Sequence, residues 1–259
     1  MFLKYLKSKE FINYFPDWIT VAGLLVIFFL IVEQAEPFQR EFKVSDVSLQ
    51  HPFAKKERVT DNMLYVISTL LPLSVIACLV KAQKKISKDH KFHYMMISML
   101  GLMVSVSATG VFSDILKVWI ARPRPDFLER CGAPSTVSAD RYVTAKICTA
   151  PMGRMYLLDG MKSTPSAHAS LSFAGLFYLS LWLFVHYEAD LSVQSWKHIL
   201  FFSPNLLAMY VGLSRTQDYR HHFFDIAFGT VIGISAASLS ALKYFRDLRA
   251  REDVLPIKV

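Results

Sequence analysis

Cysteine is scarce in this chain of 259 residues, and N-glycosylation sequons, internal repeats and low-complexity tracts are missing altogether. Three cysteines allow one disulfide at most. Cys78 lies in an apolar segment and is expected to be a packed thiol. Cys131 and Cys148 share one hydrophilic loop and could pair if that loop faces an oxidising compartment. Without an Asn-x-Ser/Thr site, glycosylation carries no information about sidedness. The first apolar run has no small-residue cleavage site and reads as an anchor, which excludes a cleavable signal peptide. The net charge of +8 is not gathered into a groove with spaced aromatics, because the lysines cluster at the ends of apolar runs. A nucleic-acid partner is therefore not expected.

What the chain has in excess is apolar length. It is 53% hydrophobic, more than is usual for a soluble protein of this size. Several runs approach the roughly 20 residues needed to cross a bilayer. Six are expected: about Trp18–Val32, Met63–Val80, His93–Ile120, Pro165–Tyr187, His198–Leu213 and Phe223–Tyr244. Pro204 should kink the fifth. Gly229 and Gly233 form a small-xxx-small packing face on the sixth, and Ser105, Ser107, Thr109 and Gly110 do the same on the third. Thr164 is the expected N-cap of the fourth, with Pro165 as its first helical residue. Asp114, inside the third run, must face the bundle interior. The fold class is all-α: one integral-membrane domain over residues 1–259, with short cytoplasmic tails at about 1–16 and 245–259.

Six crossings place both termini on one side. The basic N-terminus, the lysine-rich stretch Lys81–Lys91 and the basic tail then share the cytoplasm, although raw Lys+Arg totals do not separate the two sides. On this layout the 121–164 loop and the 214–222 loop both emerge on the non-cytoplasmic face. Three clusters of ionisable residues meet there, at a depth where such groups are costly to keep.

The first cluster is Lys117 to Pro125. Lys117 and Arg124 are two helical turns apart and would share a side if the helix persisted. The second is Lys162 to His168, where a helix start supplies free N–H groups and a partial positive charge. The third is Ser214-Arg215 followed by His221 and Asp225. These last two share a helix face, so the carboxylate can hydrogen-bond and orient the imidazole. Alone, each cluster also fits a structural role: snorkelling cations, a capped helix with an incidental histidine, a buried ion pair.

Together and in this order, KVWIARPRP from Lys117, PSAH from Pro165 and SRTQDYRHHFFD from Ser214 resemble the three motifs of the type 2 phosphatidic acid phosphatase superfamily, KxxxxxxRP, PSGH and SRxxxxxHxxxD. The six-span layout and the loop sidedness match that family as well. The flanking runs look most like fungal and other eukaryotic lipid phosphate phosphatases and diacylglycerol pyrophosphate phosphatases. One position departs: Ala167 stands where the family has glycine, keeping the backbone N–H and suiting a helical turn.

The resemblance implies that Lys117, Arg124 and Arg215, with Ser166 and the Ala167 N–H, grip a phosphoryl group. It further implies that His221 attacks phosphorus, that Asp225 fixes its tautomer, and that His168 serves as acid and then base. Three cations around the phosphate leave no task for a metal, and the sequence offers no carboxylate cluster for Mg²⁺; no cofactor is implied. The expected substrate is a membrane lipid: phosphatidic acid, lysophosphatidic acid or diacylglycerol pyrophosphate. Alternatives are a sphingoid-base phosphate, a polyprenyl diphosphate, or a catalytically weak scaffold homologue. A transporter does not fit, since nearly all ionisable residues lie at the membrane edge. The implied location is an endomembrane (endoplasmic reticulum, Golgi or vacuole) or the plasma membrane, with the site lumenal or extracellular.

Overall fold

A computed structural model describes residues 5–84, 86, 88–187 and 195–249. The tail beyond residue 249, and residues 188–194 of the connection expected before the fifth run, lie outside the described residues. The described residues form nine helices besides two single 3-10 turns. They are α1 (Lys9–Val32) and α2 (Asp61–Ala82), both ending or bending through a π turn, α3 (Lys88–Ile120), α4 (Phe127–Cys131), α5 (Arg154–Asp159), α6 (Ala167–His186), α7 (Ser195–Phe202), α8 (Pro204–Gln217) and α9 (Phe223–Arg249). Two strands of two residues each, β1 (Phe42–Lys43) and β2 (Tyr142–Val143), pair antiparallel. The expected all-α class holds apart from this short ribbon.

Among the described residues, five helices are long and apolar enough to cross a membrane: α1, α2, α3, α6 and α9. They give the chain the make-up of a multi-pass membrane protein. The run expected as a single fifth span is divided. Pro204 cannot donate a backbone N–H and starts α8, so α7 stops at Phe202. The outer faces of the spanning helices are apolar, as lipid contact requires: Ile12, Leu30 and Ile31 on α1, and Val231, Leu239 and Leu242 on α9, are exposed.

Helix α6 is the axis of the bundle, touched by α2, α3, α8 and α9. Small residues let backbones meet there. A Cβ on Gly229 or Gly233 of α9 would come within 2.5 Å of the Ser166 carbonyl or 2.3 Å of the Ser170 carbonyl, as their spacing anticipated. On the other side, Gly175 of α6 lies against the Ser68 carbonyl of α2. Ser105 of α3 donates its hydroxyl to the Ala174 carbonyl at 2.9 Å. Each close contact fixes depth along the bundle as well as distance, and so sets the level at which α6 begins.

A small cap covers the end of the bundle where α6 begins. Phe42, Leu49, Phe127, Cys131, Leu157 and Met161 form its core, and Cys131 and Cys148 are joined by a disulfide. Cys78 is an exposed free thiol on α2, on the lipid-facing side rather than packed as expected.

Gly175→Ala would place a methyl 1.8 Å from the Ser68 carbonyl oxygen, a backbone atom with no rotamer to yield. Overpacking of this kind costs about 1–3 kcal/mol. Thermal unfolding in detergent should therefore show a melting temperature several degrees lower, while Gly23→Ala, with nothing within 4 Å of its Cβ, leaves it unchanged.

Candidate active site

The cap and the bundle enclose a cavity of about 760 Å³. Six of the eight residues singled out by sequence line it: Lys117, Arg124, Ala167, His168, Arg215 and His221. Ser166 and Asp225 are fully buried behind it.

Lys117 sits in the last turn of α3. The helix does not persist to Arg124, as the shared-side argument supposed. Ala121 takes a left-handed φ of 47°, and the two prolines that follow hold the chain extended. Arg124 reaches the cavity from that segment because its own N–H is bonded to the Gly160 carbonyl at 2.8 Å. Its guanidinium donates to the Asp159 carbonyl at 2.9 Å and the Asp159 carboxylate at 2.7 Å. Arg130, donating twice to Asp126 and once to Asp159, keeps Asp159 in place.

Helix α6 starts two residues later than expected. Ser166, not Thr164, is its N-cap, accepting the Ala169 N–H at 3.5 Å. Ala167 is its first residue, with no positive φ, so alanine fits this position without backbone strain and leaves its N–H without a helical acceptor. Ser166 fixes the helix start from behind instead of lining the cavity. The Thr164 hydroxyl is used elsewhere: it donates to Asp225.

Asp225 is the largest departure from expectation. Its carboxylate is engaged not with the His221 ring but with the Ser163 hydroxyl at 2.6 Å, the Thr164 hydroxyl, the Arg122 guanidinium at 3.0 Å and the His222 N–H at 2.9 Å. His221 instead uses Nδ1 toward the Ser163 carbonyl, 2.7 Å away. A carbonyl can only accept, so Nδ1 carries the proton and Nε2 holds the lone pair. Asp225 thus acts on His221 through Ser163. Burial, then the nearby Arg124, Arg215 and Lys117 charges, hold the His221 pKa well below its ordinary value. The shift favours the neutral imidazole, with its lone pair at Nε2.

The same logic applies to His168. Its Nε2 lies 3.0 Å from the Val59 carbonyl, which makes Nε2 the protonated nitrogen. That carbonyl also accepts from Arg215 Nη1 at 3.0 Å. Val59 belongs to a strap, residues 51–60, that leads into α2. The strap is tied down by His51 stacked on Tyr219 and by Arg58 paired with Asp218.

Each expected phosphate-gripping cation is paired with carboxylate: Lys117 with Asp114 at 3.0 Å, Arg124 with Asp159, and Arg215 with Glu57 at 3.1 Å and Asp218 at 3.6 Å. Burying cations in a dry site demands such pairing. Asp114 does face the interior, as expected, and its role there is to hold Lys117. Glu57, Asp159, Ser163, Arg122 and Val59 were not identified from sequence. Arg122 lies inside the first motif and Ser163 two residues before the second, so both could have been suspected; Glu57 and Val59 carry no local signal.

The family model described as the PAP2 superfamily matches residues 98–249. The chain is 37% identical over 239 residues to diacylglycerol pyrophosphate phosphatase 1 of Saccharomyces cerevisiae, covering 91% of this chain and 81% of that protein. It is 34% identical to the probable diacylglycerol pyrophosphate phosphatase 1 of Schizosaccharomyces pombe, covering 88% and 80%. To lipid phosphate phosphatase 2 of Arabidopsis thaliana it is 33% identical, covering 88% and 76%. No solved structure matches the chain significantly. A family match across the span that carries all three clusters, and relatives aligned over most of their length, establish that this chain belongs to the PAP2 superfamily.

Proposed function

We propose that this protein is a metal-independent lipid phosphate phosphatase acting on phosphatidic acid, lysophosphatidic acid or diacylglycerol pyrophosphate through a phosphohistidine. The observation that carries this reading is the tautomer of His221. Its Nδ1–H is fixed on the Ser163 carbonyl, and a neutral Nε2 stands among Lys117, Arg124 and Arg215.

The phosphoryl group sits between these three cations and the Ala167 N–H, which stabilise the charge on its equatorial oxygens. His221 Nε2 attacks phosphorus, and the imidazolium that forms keeps its Nδ1–H on Ser163 while Asp225 supplies the compensating charge behind. In the empty cavity burial and the Arg215 charge disfavour a second proton on His168; the phosphate dianion, by offsetting the cations around it, favours one. His168 enters the step as an imidazolium, its Nε2–H leaves the Val59 carbonyl for the departing oxygen, and the ring is left neutral with its proton on Nδ1. His168 then takes a proton from the water that cleaves the phosphohistidine. The cationic grip neutralises the phosphate without a divalent ion.

Cleavage at the membrane edge suits a headgroup phosphate whose acyl chains stay in the bilayer. In this reading α7 and α8 cross together as a sixth span, despite the break at Ser203. Their outward Trp196, Ile199, Leu200, Leu206, Met209 and Tyr210 are exposed and apolar, which supports lipid contact. Six crossings put the cavity on the lumenal or extracellular face, and a disulfide in the cap is consistent with an oxidising compartment. Short cytoplasmic tails at both ends of a single domain complete the proposal.

Purified protein in detergent micelles with excess EDTA should release phosphate from phosphatidic acid or diacylglycerol pyrophosphate, and His221→Ala should release none. Dependence on added metal would refute the mechanism. Asp225→Asn should lower kcat by roughly 10–100-fold, as loss of a partner behind a functional imidazole does, with KM little changed. A purely structural role for Asp225 would instead show as reduced stability with kcat intact per folded molecule. Because its pKa is depressed, His221 stays unprotonated as pH falls through 6.5. The acid limb of kcat/KM, corrected for the substrate's own ionisation, should therefore lie below pH 6.5; a limb above it would contradict the assignment.

A further inference from the structure

Arg220 immediately precedes His221 and lines the same cavity, yet it stands at an unspecified position of the third motif, which assigns it no role. Its side chain is 6% exposed, and Nη2 donates to Glu57 at 2.7 Å. The other oxygen of that carboxylate accepts from Arg215 Nη1 at 3.1 Å, so a single carboxylate bridges two guanidinium groups. Nε of Arg215 and Nε of Arg220 are both buried with no hydrogen-bond partner among the described residues. Arg130, in the same charged cluster, shows what a structural arginine looks like: its three nitrogens all donate, to Asp126, Asp159 and the Tyr156 carbonyl. Buried N–H groups without acceptors are costly and rare. A pair of them on adjacent arginines, joined by a shared acid, is the donor set for a second forked anion.

We propose that Arg220 forms a second anion subsite with Arg215, and that this subsite holds the non-transferred phosphoryl group of a lipid pyrophosphate. Glu57 occupies it in the absence of substrate. Its carboxylate stands in for phosphoryl oxygens and keeps the two arginines at one seat. When a pyrophosphate enters, the transferred group lies among Lys117, Arg124 and the Ala167 N–H, with Arg215 between the two groups. The second group displaces Glu57, the carboxylate shared by the two arginines and partly open to solvent, while the Ala54 and Val59 carbonyls of the strap and the buried Asp126 and Asp218 keep their contacts with Arg220 and Arg215. A monophosphate has nothing to offer the subsite, so Arg220 separates lipid pyrophosphates from lipid monophosphates. Phe53, whose ring lies 4.4 Å from the Arg220 guanidinium, holds that side chain flat against the strap and limits its reach to this one position.

The inference rests on the phosphatase reading, and a binding measurement separates the two. Methylenediphosphonate and methylphosphonate, which hold phosphorus through P–C bonds that phosphoryl transfer does not cleave, are titrated calorimetrically into the full-length protein in EDTA. The wild type should bind the diphosphonate about tenfold tighter or more, the gain expected of one additional charge-assisted contact. Arg220→Gln should bring the ratio of the two affinities close to one, and Arg220→Lys should restore part of it. Arg154→Gln removes a cation from the exposed rim of the cavity, where Arg154 pairs with Glu36. It controls for net charge and should leave the ratio within about twofold, well short of the tenfold contact value. Glu57→Gln, which frees the seat, should raise it. If Arg220→Gln weakens both ligands equally, or lowers the ratio no more than Arg154→Gln does, Arg220 is structural and the subsite is wrong while the phosphatase reading stands. If the wild type binds neither ligand, both fall together.

Discussion

A carboxylate with no exposed surface, at the edge of a bilayer, must find donors or lose its charge. Asp225 finds four, and they come from the three separate pieces of chain that make the site: Arg122 beyond α3, Ser163 and Thr164 before α6, and the His222 N–H at the head of α9. The Ser166 N–H adds a bond to the Asp225 backbone carbonyl at 3.0 Å. This one charge ties the starts of α6 and α9 to each other and to the segment that leads to Arg124. The glycine contacts deeper in the bundle set the same two helices at the depth where these bonds can form. The tautomer of His221 is a by-product of that fastening, since the Ser163 carbonyl is presented to Nδ1 by the same loop.

The second organising feature is that the cavity holds its cations in matched company. Lys117, Arg124 and Arg215 each face an acid, and those acids belong to different elements: α3 itself, the end of α5 and the strap. Pairing keeps buried charge tolerable while the site is empty and holds each cation near its working position. A dianion that enters competes for donors already aligned, which is the sense in which such a site is preorganised. The arrangement also explains why the strap matters although it contributes no reacting atom. Through the Val59 carbonyl it positions both His168 and Arg215, and through Glu57 it positions Arg215 and Arg220.

Much of this was legible in the residues. Apolar length marks the spanning helices, and the order of Lys117, Arg124, His168, Arg215 and His221 suffices to bring them to one cavity, because helix ends on one side of a bundle are neighbours. Small residues at Gly229 and Gly233 announce close packing by spacing alone. Other features depended on information the local sequence does not hold. Whether a helix starts at Pro165 or Ala167 turned on where the Thr164 hydroxyl goes, and it goes to a residue 61 positions away. The four-residue spacing of His221 and Asp225 suggested a direct bond only on the assumption that both lie within one helix; α9 begins at Phe223, which leaves His221 outside it. Glu57 and Val59 sit in a run of mixed charge whose partners are about 110–160 residues distant in sequence, beyond any periodicity.

The account turns on His221 as the atom that accepts the phosphoryl group. The most direct measurement is a rapid acid-free denaturing quench of the purified protein turning over a lipid phosphate labelled in the transferred group, followed by peptide mapping. The account predicts a base-stable, acid-labile label on the peptide containing His221 and no label on that containing His168. Label on His168, or rapid turnover with no labelled peptide at any quench time, would contradict it.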